Sequence, residues 1–432
     1  MGNDSGWRQT LRRAASAGWV IGTLVRPLVP PARAQMPVDH VAISVSGLAT
    51  GTRVDGVPGG GTTNELKLEQ SMLGLHGSQL HGHLRFSAAV SADRQTIPDG
   101  VLTLGAWGQG LYDREHPHAY LHEAVASLVG DLDRGRGQLW LAGGKGYVPF
   151  GSDPWMDGPT VHGPVNEHWV EIEERALITL GLRLGRVGIE GSLFDGTEGT
   201  VAQSTTTDTA GHQHGGGFIP EPPPRAGFGH SHAVRVIWRP LGGLELRGSV
   251  ATIRSPEHHA GAGPGDEQVW NLSGQVARPT PSGHFGARVT LGRAWEGSAF
   301  WTAEAQGEWQ SRGHLAYYRL ERTDRPEGPR TADLFHSALD TLNAPVGATR
   351  WTVHTAGYSF TFLAGALRLA PVVELAVAQV ASVATPAVNV RALYGGTTLW
   401  SGVIAVRVSL GRSHAMGHYG VDPAEAGMAH GH

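Results

Sequence analysis

The sequence predicts an all-β chain closed into a transmembrane antiparallel β-barrel of about 16 strands, or about 18, with short turns at one end and long loops at the other. Three observations predict it. From about residue 80, apolar and polar residues alternate in segments of roughly ten residues. The connections between those segments alternate short and long. No segment after the N-terminal region has the ~20 uninterrupted apolar residues of a membrane helix.

Residues 1–34 read as an export signal. Arg8, Arg12 and Arg13 form a basic start, residues 14–25 a short apolar core, and Ala32-Arg33-Ala34 a small-x-small cleavage site before Gln35. The 432-residue chain holds 34 Lys and Arg against 38 Asp and Glu; removing the signal's five arginines and one acid leaves a net charge of −8. No basic stripe is left to bind nucleic acid. Cysteine is absent, which excludes disulfides, thiolate metal sites and a thiol nucleophile. Residues 35–79 form an N-terminal segment with a candidate first strand at 38–48 or 64–75. The barrel spans 80–411, with about 16 strands counted from residue 80. Residues 412–432 read as a His-rich disordered tail.

The clearest strand is 300–310, FWTAEAQGEWQ. Trp301, Ala303, Ala305, Gly307 and Trp309 share one face, and Thr302, Glu304, Gln306, Glu308 and Gln310 the other, because successive side chains of a strand point to opposite sides. Small residues between two tryptophans fit a lipid-facing band between aromatic girdles, with a wet lumen opposite. Residues 233–239 set Val234, Val236 and Trp238 against Arg235 and Arg239. Residues 285–291 set Phe285, Ala287, Val289 and Leu291 against Arg288, and 399–410 set Trp400, Ile404, Val406, Val408 and Leu410 against Ser401, Arg407 and Ser409.

Short connections fall at 134–137, 184–186, 240–243, 279–283 and 310–314, and long ones at 151–167, 197–229, 255–266 and 324–346. Within the last, Leu334, Phe335, Ala338, Leu339 and Leu342 recur at helical spacing and predict a short amphipathic helix over 331–343.

One stretch carries more than rhythm. Gly144-Lys145-Gly146-Tyr147-Val148-Pro149-Phe150-Gly151 is followed by Ile172-Glu173-Glu174-Arg175-Ala176 and then by Gly191-Ser192-Leu193-Phe194-Asp195-Gly196. In order and spacing, residues 137–198 resemble the phosphate-selective porin family of trimeric outer-membrane barrels. The resemblance implies a homotrimer in outer-membrane lipid, passing small hydrophilic solutes or ions, with 151–167 folded into the pore to narrow it. Pro149 has no N–H for the ladder, so pairing ends there, and Gly151 permits the turn inward. Asp153, Asp157 and Glu167 make that loop acidic, and the chain has only two lysines, so the family's cation ladders are not reproduced. The expectation carried forward is a porin, with phosphate specificity not carried over and the solute left open.

Candidate pore-lining and constriction residues are therefore Lys145, Pro149, Phe150, Gly151, Asp153, Asp157 and Arg175, with Arg235, Arg239, Arg247, Arg288 and Arg407 on the polar faces beside Glu304 and Glu308. Lys145 shares the face of Tyr147 and Pro149, which leaves its direction open. Charged rings of this kind set ion selectivity. Pairing of the same arginines with Glu304, Glu308 and Glu374 across the wall is the plainer reading.

The chain has 23 histidines, several spaced i, i+2. His212, His214, His230, His232, His414, His418, His430 and His432 are candidate ligands for Zn or Cu, which imidazole suits. Accumulation in solvated loops and pH sensing between about pH 5 and 7 are the competing accounts. The alternative function is accordingly an outer-membrane Zn- or Cu-handling protein, and a third is a structural barrel with a blocked lumen. No enzyme is expected: Gly-x-Ser-x-Gly does not occur, and Gly229-His230-Ser231-His232 alone defines no relay.

Overall fold

The structure, a computed structural model, describes residues 38–57, 61–91, 121–132, 136–154, 158–165, 171–172, 174–196, 228–254, 266–296, 298–327, 347–383, 388–411 and 416–420. The export signal, the helix expected at 331–343, Asp157 and Glu167 lie outside them.

The strands in chain order are β1 (Val38–Val57), β2 (Gly61–Gln79), β3 (Leu84–Ser91), β4 (Leu121–Leu132), β5 (Gly137–Tyr147) and β6 (Glu174–Leu184). Next come β7 (Val187–Phe194), β8 (Ser231–Leu241), β9 (Leu244–Ile253), β10 (Glu267–Thr280), β11 (Gly283–Glu296) and β12 (Ser298–Ser311). The last are β13 (His314–Glu327), β14 (Gly347–Phe360), the three-residue β15 (Phe362–Ala364), β16 (Leu367–Ser382) and β17 (Thr398–Leu410). All pair antiparallel in one 17-stranded sheet. β15 pairs only with β16, and β1 closes on β17 from Val45↔Leu410 to Val54↔Ser401, leaving a ring of sixteen.

The expected strand number is therefore met, with a different start. Both segments offered for a first strand, 38–48 and 64–75, lie inside strands, β1 and β2, so two ring members precede residue 80. Correspondingly, fewer than the anticipated strands follow it, and 92–120 lies outside the described residues.

Turns at one end are tight: 185–186, 242–243, 281–282 and 312–313. Arg312 (φ 48°) and Gly313 (φ 87°) both take left-handed backbone, the pairing that lets a two-residue turn follow the strand twist. Connections at the other end include 92–120, 148–173 and 195–230.

Burial is inverted relative to a water-soluble protein. Ile404 is 70% exposed, whereas Val403 and Ala405 beside it are 2% exposed. Trp301 is exposed while Thr302 and Glu304 are buried, as the alternation in β12 predicts. Val234, Val236, Trp238, Phe285, Val289 and Leu291 likewise face outward. Aromatics gather near both ends of the outer belt. Trp270, Trp295, Trp301 and Trp400 lie toward the loop end, with Trp270 and Trp301 edge to face at 5.6 Å; Trp238, Trp309, Tyr318 and Tyr358 lie toward the turn end. The inner face carries Glu190, Arg235, Arg247, Ser249, Arg319, Glu321, Glu374 and Ser401. A lipid-facing apolar surface around a polar interior defines a transmembrane β-barrel.

The interior is not hollow throughout. The β16–β17 connection forms helix α1 (Val390–Tyr394), capped by the Asn389 side chain, which accepts from Ala392 N at 3.1 Å, and ended by Gly395 at φ 76°. Tyr394 packs edge-on against fully buried Trp351 at 5.1 Å, in an apolar cluster with Val353, Ala378 and Leu399.

Ile404 sits at the middle of β17 on the outward face, so Ile404→Arg is expected to destabilise the folded barrel by about 2–4 kcal/mol, measured by denaturant titration in lipid vesicles. An unchanged midpoint would show that this face does not meet hydrocarbon.

Candidate functional site

β5 stops at Tyr147 for the reason the sequence offers: Pro149 has no N–H to donate. Val148 N still donates to Ile172 O at 3.3 Å, and Phe150 N turns back to Val148 O at 2.7 Å. Gly151 takes φ 64°, a left-handed conformation that glycine adopts at no steric cost, and its N–H donates to Ser249 Oγ of β9 at 2.8 Å. Phe150 is 1% exposed and packs on the inner wall against Ala142, Leu177, Phe194, Ala233 and Ala251. The chain thus leaves β5 into the lumen.

Asp153 then meets the β8–β9 wall. Arg247 Nη2 donates to Asp153 Oδ2 at 3.0 Å and Nη1 bonds Oδ1, while Arg247 Nε donates to Glu245 Oε1 at 2.5 Å. Glu245 also accepts from Arg239 Nε at 2.6 Å and Gln275 Nε2 at 3.2 Å. Arg235 Nε donates to Glu190 Oε2 at 2.6 Å, and Arg288 Nη2 to Glu304 Oε1 at 3.0 Å. Glu308 is half-buried on the same inner series, opposite Gly286 and Tyr317. Arg175 is buried opposite Gly146 in the inner series of Leu177 and Thr179.

The second half of the loop, 158–165, is fastened half-way round the ring, on β13, β16 and β17. Glu374 accepts from Val161 N at 2.8 Å, His162 N at 2.6 Å, the Tyr317 hydroxyl at 2.5 Å and His162 Nδ1. His162 Nε2 lies 2.7 Å from Ser401 Oγ. Arg319 donates to Thr160 Oγ1 at 3.2 Å and Gly163 O at 2.9 Å, and Val165 N donates to Glu321 Oε1 at 2.8 Å. Arg407 Nη1 reaches Gly158 O at 3.4 Å. A loop rooted on β5 and bonded to the opposite wall crosses the lumen.

Ser401, His162 and Glu374 stand in the order of a hydrolytic relay. Ser401 is fully buried, and the carboxylate is occupied by two backbone amides and a phenol besides the imidazole. The trio is a clasp on the loop. Sequence reasoning assigned Glu374 to arginine pairing, placed Ser401 only on the polar face of its strand, and did not single out His162, Tyr317, Arg319 or Glu321. Tyr317 meets Glu374 57 positions on, and the other partners lie 156 to 239 positions away in the chain, so no local pattern announces such contacts.

Lys145 requires a correction. It pairs with Ala124 and Ala176, and follows Leu139 and Leu141 in the outward series, while Gln138, Trp140 and Ala142 face inward. Opposed residues of antiparallel strands share a face. Lys145 therefore stands at the outer rim, half-buried, and does not line the pore.

The tail differs from the disordered segment expected. Residues 416–420 pack inside the barrel, with Met416 and Tyr419 buried and His418 Nε2 at 3.1 Å from Asp153 Oδ1. His230 and His232 are exposed at the loop-end rim of β8, with Ser231 between them turned inward and accepting from Arg254 N at 3.0 Å. His212, His214, His414, His430 and His432 lie outside the described residues. Among the described residues, no three metal-capable side chains come together.

No protein-family model matches this sequence, and neither does any curated protein. Solved structures do resemble it. The anion-selective porin from Comamonas acidovorans aligns at TM-score 0.49 and 12% identity, over 86% of this chain and 99% of that one. Pseudomonas putida OprB aligns at 0.48 and 11%, over 86% and 94%; the outer membrane channel DcaP of Acinetobacter baumannii aligns at 0.46 and 10%, over 89% and 100%.

Glu374→Ala removes the acceptor of four donors and is expected to cost about 3 kcal/mol, because the groups left behind stay buried and unpaired. Limited proteolysis should then cut within 158–165, where the parent barrel resists. Equal resistance in both proteins would show that the clasp does not hold the loop.

Proposed function

We propose that this chain is an outer-membrane porin, a water-filled channel for passive diffusion of small hydrophilic solutes or ions. The observation that supports it best is the loop 151–165, fastened across the lumen between the Arg247 wall and the Glu374–Arg319 wall. A closed barrel with a polar interior can conduct, and a fastened crossing loop sets the narrowest passage. The export signal, outer-membrane lipid and a homotrimer belong to this reading. On the wall beside the loop's root the charges come in pairs: Arg235 with Glu190, Arg247 with Asp153 and Glu245, Arg288 with Glu304. Paired charges leave little net field along the axis, so the channel discriminates weakly between cations and anions and holds no dedicated phosphate site.

Purified protein in a planar bilayer is expected to give stepwise conductance in KCl, with a reversal potential near zero in a salt gradient. Arg235→Glu places two like carboxylates at the wall and should move that potential toward cation preference by at least about 10 mV. Absence of steps from correctly folded protein would sink the channel reading. An unmoved potential would remove Arg235 from the permeation path.

A further inference from the structure

We propose that Met416–Gly420 is a detachable plug that enters the lumen from the short-turn mouth and narrows the channel beside the crossing loop. This rests on the channel reading above. β17 runs from the loop end to the turn end, where Leu410 pairs with Leu367 and Val45. The chain therefore leaves the wall at the short-turn mouth. Met416 is packed with Tyr147 and Ala89, toward the loop end of β5, inside the wall that β17 completes.

A seat is built for it. Tyr419 is 5% exposed, and its hydroxyl donates to Tyr147 O at 3.1 Å. A Cβ at Gly146 would lie 2.1 Å from that hydroxyl oxygen, so glycine alone leaves room for the ring. Trp140 is wedged between Gly181 of β6 and Gly420 of the tail; a Cβ on either would come within 2.1 Å of the indole. Gly417 N donates to Glu123 Oε2 at 3.0 Å, and Arg85 Nη1 donates to Gly420 O at 3.0 Å. His418 meets Asp153, so the tail abuts the crossing loop itself.

Among the described contacts the tail is fastened at fewer points than the loop. None of the described tail residues joins a strand ladder; its bonds to the wall run to single groups on β3, β4 and β5, and His418 meets Asp153 of the loop. Release opens no gap in the wall, because the ring is closed by β1 and β17 without it. The segment can leave and return while the barrel stays folded.

The test compares the full chain with one ended after Gly411, both refolded and checked for barrel formation by heat-modifiable mobility. Truncation is expected to enlarge the single-channel step by at least about twofold. A synthetic peptide of residues 412–432 should restore the smaller step when added on the short-turn side and have no effect from the loop side. If the truncated chain does not fold, Met416→Ser/Tyr419→Ser in the full chain should enlarge the step in the same way. Equal steps with and without the tail overturn the plug, and so does a peptide that fails to block or blocks equally from both sides. Folded protein that conducts in neither form overturns the channel reading instead.

Discussion

A strand in hydrocarbon has no water to satisfy an unpaired N–H or C=O, and each such group costs several kcal/mol. The rest of this molecule depends on how that constraint is met. An open sheet would present two unpaired edges to lipid, so the first strand must find the last. β1 does so by pairing β2 along one side and β17 along the other, with ten residues in register from Val45↔Leu410 to Val54↔Ser401. The even count of the ring follows, because an all-antiparallel sheet closes only when first and last strands run in opposite directions. Both also have one end at the short-turn mouth, which gives the tail access to the lumen.

Closure fixes the surface chemistry. Lipid is as apolar as leucine, so the outer face carries Ile404, Leu180, Val289 and Leu272 with no loss, and the charges go inside. Inside, an ionised group covered by a loop needs a partner, since removing one member of a buried pair leaves an uncompensated charge. The loop supplies partners at each crossing: Asp153 for Arg247, amides of Val161, His162 and Val165 for Glu374 and Glu321, carbonyls for Arg319 and Arg407. Burial of the wall charges and fastening of the loop are one event. The constriction is consequently as firm as the ion pairs beneath it.

How much of this the sequence carried depends on distance along the chain. Alternation is a property of neighbours, so the faces of β8, β11, β12 and β17 were legible from neighbours such as Val234 and Arg235, Arg288 and Val289, Trp301 and Glu304, and Ser401 and Ile404. Pro149 and Gly151 act within three residues and announced the inward turn. Lys145 was legible too, because the outward parity of Leu139 and Leu141 runs through two glycines to reach it; the glycines hid the series. β1 and β2 were obscured because their side chains alternate weakly: Gly47, Gly51 and Arg53 of β1 and Asn64 of β2 stand in the outward series, while Leu48 and Val54 stand in the inward one. The clasp was not legible at all, since Glu374 and Ser401 become its parts only when half the ring separates them from the loop's root. The tail packing of Met416 and Tyr419 depends on space left by Gly146, which nothing near residue 416 encodes.

Two segments therefore occupy one lumen under different rules. The crossing loop is bonded at both walls by charged groups that have few alternatives once dehydrated, so moving it exposes several buried charges together. The tail is held by two buried side chains and by single contacts, Gly417 N to Glu123, Arg85 to Gly420 O, Tyr419 to Tyr147 O and His418 to Asp153, on a wall already complete, and it shares only Asp153 with the loop's ion pairs. Asp153 keeps both Arg247 contacts when His418 departs, so the loop's anchor survives release of the tail. The reverse does not hold, because displacing the loop removes the tail's partner at Asp153. A hierarchy follows from the pairing alone: barrel first, loop second, tail last.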